Sequence, residues 1–362
     1  EVIIYTPGST AGRPVDILGS FRPPSGALDL EALGELIAGT TAAVLALLGH
    51  TGDPMRDPAS IALGQILQLA WSQGRTLSAQ DLVLQLVDPP FDKVGVFPVD
   101  TFFPPADRMD LAMRLNGLLV APGAAAWRAG EPLDVDAMLS RTGDKVGVHV
   151  FCTAHLDDAE RMSFTALLLE AVVAWVRRQS GSDGLQALLY FDEVYGYLPP
   201  HPARPPTRKP LLTLVKQARA VGLGVVLATQ NPVDVDYATL TNAGLWFMGR
   251  LSARQDQDRV LDGLQGRGSE GVKELRGWLE RLPSRVFAVR DASRDAPVLM
   301  RARWAMSWLR GPMTRREISQ LMGPVELRHA SSQDREQAPV TTPESLGSCT
   351  TSPPPQPGKT PY

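Results

Sequence analysis

Two adjacent carboxylates, Asp192 and Glu193, close the apolar stretch "LLYFDE". A buried strand gains nothing from a charged pair at its tip unless something cationic is held there. A second polar group, Gln230 in "ATQNP", closes the apolar stretch "GVVLAT" 38 residues after Asp192. An apolar strand ending in Asp-Glu suits phosphoryl transfer to water: the Asp holds Mg²⁺, and the Glu orients and polarises the attacking water. Neighbouring residues at a strand end diverge, so one can face the metal and the other the γ-phosphate. A neutral Gln at the next strand tip can report on that phosphate without changing the charge balance. The bland reading is that Asp192 and Glu193 cap a loop and that Gln230 sits in a surface turn. The residues alone leave both readings open.

The elements that must position these groups read as an α/β chain. "EVIIY" opens it as a buried strand, followed by a Gly/Pro turn. "KVGVHVFCTA", "LQALLYFDE", "GLGVVLATQN" and "LWFMGRL" are further strands. Between them lie the helical patterns "DDAERMSFTALLLEAVVAWVRR", "KPLLTLVKQARAV" and the short "YATLTNAG", and "ARQDQDRVLDGL" is a polar-rich helix after the last of those strands. Alternation with short joins predicts a mainly parallel sheet covered on both faces. Right-handed crossovers then bring the tips at Asp192 and Gln230 to one edge, where ligands of such sheets bind. Residues 28–145 instead read as a mostly helical insertion, broken by Pro89-Pro90 and Pro104-Pro105. "RVFAVRD" and "APVLMRARW" predict a hairpin, and "TRREISQLM" a last helix that Thr314 can cap. The domain boundaries follow: a core of residues 1–27 and 146–322, the insertion 28–145, and a Pro-rich tail 323–362 too polar to order itself.

Bulk composition narrows the classes. The chain has 362 residues, 44% of them hydrophobic and 21% charged, which suits a soluble globular protein with more than one domain. A net charge of −3 imposes no nucleic-acid partner by itself. The longest uncharged apolar run, residues 36–52, falls short of the roughly 20 residues a spanning helix needs, so no membrane role is expected. Only two cysteines, Cys152 and Cys349, occur, and a reducing cytoplasm fits them. His155 near Cys152 lacks further ligands at zinc spacing. Between residues 201 and 220 there are five basic residues and no acid, among them Arg204, Arg208, Lys209 and Lys216. A basic loop directly after the acid pair can contact a phosphate backbone without reading bases, or it can be a solvated face. Arg301, Arg303, Arg310, Arg315 and Arg316 surround Trp304 and Trp308, a set suited to base stacking or to a subunit interface.

Several long blocks in the right order resemble bacterial ATP-binding proteins with a HerA-type central domain, of the HerA/FtsK branch of P-loop motor ATPases. They are "VIIYTPGSTAGRPVDIL", "HVFCTAHLDDAERM", "LQALLYFDEVYGYLPP", "PLLTLVKQARAVGLGVVLATQNPVDVDYATLTNAGLWFMGRL" and "DAPVLMRARWAMSWLRGPMTRREI". The likeness runs from residue 1 to about residue 322. It implies a RecA-like core, usually a homo-oligomeric hexameric ring, that couples ATP hydrolysis to work on DNA, with room for a nuclease partner. Asp192 then matches the Mg²⁺-coordinating carboxylate of the Walker B strand, Glu193 the catalytic glutamate, and Gln230 the polar sensor. Arg250 and Arg254 fall where the family places arginines near the nucleotide or the subunit boundary.

One departure is large. No G-x-x-x-x-G-K-[ST] occurs; "GHTGDP" and "GLQGRGSE" are the nearest Gly-rich strings and lack the Lys-Ser/Thr ending. That loop supplies the N–H groups and the lysine that cradle phosphates. The simplest expectation is that the chain is the C-terminal part of a longer motor and binds ATP poorly alone. The alternative is a non-catalytic assembly or DNA-binding scaffold that keeps the fold.

Overall fold

The structure, a computed structural model, describes residues 2–323 except 18–20, 25, 27–28, 51–55, 122–123, 141–144, 265–269, 295 and 305–310. The Pro-rich tail expected at 323–362 therefore lies outside the described residues apart from Gly323, as do Trp308 and Arg310.

Strand β1 (Val2–Tyr5) enters the core directly. Helices α1 (Leu30–Leu47), α2 (Pro58–Ser72), α3 (Ala79–Val87) and α4 (Pro105–Val120) follow, with shorter pieces between them. Each of the first three is started by a side chain that accepts from an orphan N–H: Asp29 from Ala32, Asp57 from Ser60, and Ser78 from Asp81. β2 (Val148–Phe151) pairs in parallel with β1, Val2 opposite Val148 and Tyr5 opposite Phe151. The apolar sides of α1 to α4 share one core with Tyr5, Val15, Phe21 and Phe164, so the helical insertion and the first strands are packed together. Tyr5 stacks on Phe151 at 5.0 Å, and Phe151 tilts onto Phe164 at 5.7 Å.

α5 (Asp158–Arg178) opens with a capping box between Asp157 and Glu160. Its C-terminal arginines are not left to the helix dipole: Arg177 pairs with Glu35 of α1, and Arg178 with Asp136. α1 lies closely along α5. Ser163 Oγ donates to the Ala43 carbonyl at 2.8 Å, and a Cβ at Gly39 would fall 2.1 Å from Glu170 Oε1. α1 is the one described helix long and apolar enough to cross a membrane by length and composition; in this fold it packs on α5.

β3 (Ala187–Phe191) is followed by α6 (Arg208–Gln217) and β4 (Leu223–Leu227), and the two strands pair in parallel from Ala187–Leu223 to Phe191–Leu227. Gly222 makes the turn into β4 at φ +78°, where a Cβ would meet the Gly184 carbonyl oxygen at 2.3 Å. We expect Gly222→Ala to lower the free energy of unfolding by about 2–3 kcal/mol, from left-handed strain plus a backbone that cannot retreat. Urea denaturation checks this; an unchanged midpoint would refute the turn's role.

α7 (Tyr237–Asn242), β5 (Leu245–Met248), α8 (Arg254–Leu264), α9 (Glu270–Arg281), β6 (Val286–Asp291), β7 (Val298–Arg301) and α10 (Arg315–Met322) complete the fold. β6 and β7 form the expected hairpin, and Thr314 caps α10 with a capping box to Glu317.

The sheet differs from expectation in two ways. β5 pairs antiparallel with β6, so it belongs to a three-stranded antiparallel sheet, and among the described residues the parallel pairing is split into separate pairs, β1–β2, β3–β4 and the short Val15–Asp16 with Glu131–Pro132. The β3–β4 pair is also covered on one side only among the described residues. Leu189, Phe191, Val225 and Leu227 face the core built by α5 and α6. On the opposite face Leu188, Tyr190 and Val226 remain exposed, at 58%, 60% and 41%. Alternate residues of a strand point to opposite faces, so apolar residues in unbroken sequence predict two covers; the described residues supply one.

Candidate active site

The end of β3 is pinned twice to one residue of the neighbouring strand. Ala228 N–H donates to the Phe191 carbonyl at 2.9 Å, and Val194 N–H donates to the Ala228 carbonyl at 2.9 Å. Asp192 and Glu193 are squeezed out between those two anchors. Val194 and Leu198, both buried, hold the chain beyond. Glu193 accommodates the turn with φ +53°, a left-handed setting unusual for a residue with a Cβ.

Gln230 is two residues beyond Ala228 on the same rim. Its Nε2 donates to Glu193 Oε2 at 2.9 Å. Asp192 points elsewhere: it is exposed, and its Oδ1 accepts a long 3.4 Å bond from the Tyr190 hydroxyl. Tyr190 carries no motif. Its place two residues before Asp192, on one strand face, is the signal that could have singled it out. The main-chain anchoring by Ala228 has no sequence signal, because any residue provides an N–H and a carbonyl.

The rim thus offers one exposed carboxylate, with only a long bond from the Tyr190 hydroxyl, and one carboxylate held by an amide. An exposed lone carboxylate fits Mg²⁺, which takes one or two carboxylates and completes its shell with water and substrate phosphate. Among the described residues no group of three or more His, Cys, Asp or Glu side chains gathers for a metal.

The basic residues after the acid pair divide. Arg208 pairs with buried Asp236, whose Oδ1 also accepts from Ala238 N–H at 2.8 Å to cap α7. Lys209 pairs with Glu35 at 3.0 Å, linking α6 to α1. Both are tied into the fold. Arg204 and Lys216 are exposed. Arg208→Ala should therefore destabilise the fold by about 2 kcal/mol or more, because it strands a buried carboxylate. Arg204→Ala should leave the unfolding midpoint in place. Equal midpoints for the two variants would contradict this division.

Arg250 follows β5 and Arg254 opens α8; both are exposed, and among the described residues neither is bonded to Asp192, Glu193 or Gln230. His155 Nε2 lies 2.7 Å from the Pro7 carbonyl, a side-chain to main-chain tie between the segments after β2 and β1. Trp304 is exposed, with the Arg285 guanidinium 4.6 Å from its ring centroid.

No protein-family model matches the sequence, and no curated protein matches it. Among solved structures, the bacterial conjugative coupling protein TrwB superposes over 86% of this chain and 75% of its own, at 12% identity and a TM-score of 0.53. The chain shares its fold with TrwB. That shared fold is RecA-like, with mixed helices and strands and some parallel sheet. The genome packaging NTPase B204 of Sulfolobus turreted icosahedral virus 2, solved with ATP-gammaS, matches 43% of this chain and 68% of its own at 15% identity and a TM-score of 0.32.

Proposed function

We propose that these residues form the Walker B half of a HerA/FtsK-type motor ATPase that couples Mg²⁺-dependent ATP hydrolysis to movement or processing of DNA. The observation that carries this reading is the convergence of Asp192, Glu193 and Gln230 on one strand rim. Its fold is shared with TrwB, a conjugative coupling protein.

In this reading Glu193 orients a water and draws on its proton while the water oxygen attacks the γ-phosphorus and the bond to the bridging oxygen of ADP breaks. Asp192 would hold Mg²⁺, which neutralises phosphate charge when bound. Arg250 or Arg254 serves the nucleotide or a subunit boundary in a ring of identical subunits, with hexamers as the expected size. Arg204 and Lys216 are the basic residues free to meet a DNA backbone. The reading requires a phosphate-binding loop, and no G-x-x-x-x-G-K-[ST] within these 362 residues supplies it. The compartment we assign is the cytoplasm.

The missing G-x-x-x-x-G-K-[ST] motif favours a second reading, a non-catalytic scaffold with the same fold. ATP turnover by the complete protein, with and without duplex DNA, separates the two. The motor hydrolyses ATP and DNA stimulates it; a complete protein that neither binds nor hydrolyses ATP is the scaffold.

A further inference from the structure

The main chain at Glu193 is left-handed, at φ +53°. Among the described residues the only other non-glycine with positive φ is Arg285. The two bonds to Ala228 impose that turn, since Phe191 and Val194 must both meet one residue across the strand gap. A backbone bent in this way does not by itself fix where the carboxylate points. Oε2 of Glu193 is met by Nε2 of Gln230 at 2.9 Å, across 37 residues of sequence. A carboxylate only accepts, so the amide has to present its NH₂ side.

We infer that Gln230 is a positioning residue, one that aims the Glu193 carboxylate. The inference rests on the reading of Glu193 as the group that orients water. One of the two Nε2 hydrogens is given to Glu193, so aiming that carboxylate is a role Gln230 has beside any contact of its second N–H with a phosphate oxygen. The strained turn and the amide act together. The turn delivers the carboxylate to the rim, and the amide removes its freedom to swing there.

The first test is independent of hydrolysis. A double-mutant cycle of Gln230→Leu and Glu193→Ala is measured by urea denaturation of the 362-residue chain. Gln230→Leu raises the unfolding constant about 3- to 10-fold when Glu193 is present and less than twofold when Ala occupies position 193. Gln230→Lys keeps a donor at the rim and restores most of the coupling, which a mere packing role for Gln230 would not do. Additive effects in the cycle overturn the inference whether or not the protein is an ATPase. The second test uses the complete protein. Gln230→Leu lowers kcat and leaves KM for ATP unchanged if Gln230 acts through Glu193; a raised KM with kcat kept shows that Gln230 reads the nucleotide, and overturns the inference. A wild-type protein without turnover defeats the motor reading, and the cycle with its lysine rescue then decides the inference alone.

Discussion

Replacing Glu193 by Gln lowers ATP turnover of the complete protein by about 10²- to 10⁴-fold, the range for losing a positioned proton acceptor, and Asp192→Asn lowers it by weakening the hold on Mg²⁺. The fold survives both changes. Asp192 is exposed, and its one side-chain bond, to Tyr190, is long. Gln at position 193 still offers an oxygen to the Gln230 amide, and the main-chain anchors at Ala228 do not involve the side chain. The two variants differ in kind. Asp192→Asn weakens the hold on Mg²⁺, so excess Mg²⁺ recovers part of the rate. Glu193→Gln keeps metal and nucleotide binding and loses the chemical step, so Mg²⁺ does nothing for it. Steady-state turnover against Mg²⁺ concentration, with circular dichroism as the fold control, checks both. Wild-type rates in the two variants would falsify the proposed site.

Glu170→Gln should make the protein more stable in alkaline solution and leave it nearly unchanged in acid. Glu170 is 7% exposed, on α5 against the bare Cα of Gly39. Burial raises its pKa from 4.5 to about 8, and the charge of Lys209 only partly opposes that. The folded protein therefore holds a proton that the unfolded chain releases. Below pH 4.5 both states are protonated and the residue costs nothing. As pH rises from 4.5 towards 8, the unfolded chain is increasingly favoured by its free carboxylate, and stability is lost; above 8 the loss is complete. The total is on the order of a few kcal/mol. Gln fills the same space and carries no charge. Urea denaturation at pH 5 and pH 9 reads the difference, and parallel stability-versus-pH curves for the two proteins would rule out the buried neutral acid. Lys209 also bonds Glu35, which bonds Arg177, so the residue sits in a small charged network between α1, α5 and α6.

Much of the local structure was legible before any coordinates. The strands at 187–191 and 223–227, the hairpin at 286–301 and the Thr314 cap follow from alternation, turn residues and capping chemistry, all of which act over a few residues. The site was legible in part for the same reason. Asp192, Glu193 and Gln230 stand at strand ends, and a right-handed crossover of parallel strands has one outcome for which edge they share. Other aspects were not readable. "LWFMGRL" has the same apolar alternation as the parallel strands but pairs antiparallel with β6, because strand direction is set by the partner and not by the strand's own pattern. Arg208 and Lys209 read as a loose basic loop, yet one is committed to Asp236 and the other to Glu35, acids 28 and 174 residues away.

The sequence by itself determined which residues are candidates for chemistry and the elements that carry them, since periodicity, caps and charge are local properties of the chain. Tertiary structure alone decided which acid is exposed and which is held, which bases are spent on ion pairs, and which strand face stays bare. Those outcomes depend on contacts between segments distant in sequence, where a single main-chain anchor such as Ala228 turns a carboxylate and leaves no trace in the order of the residues.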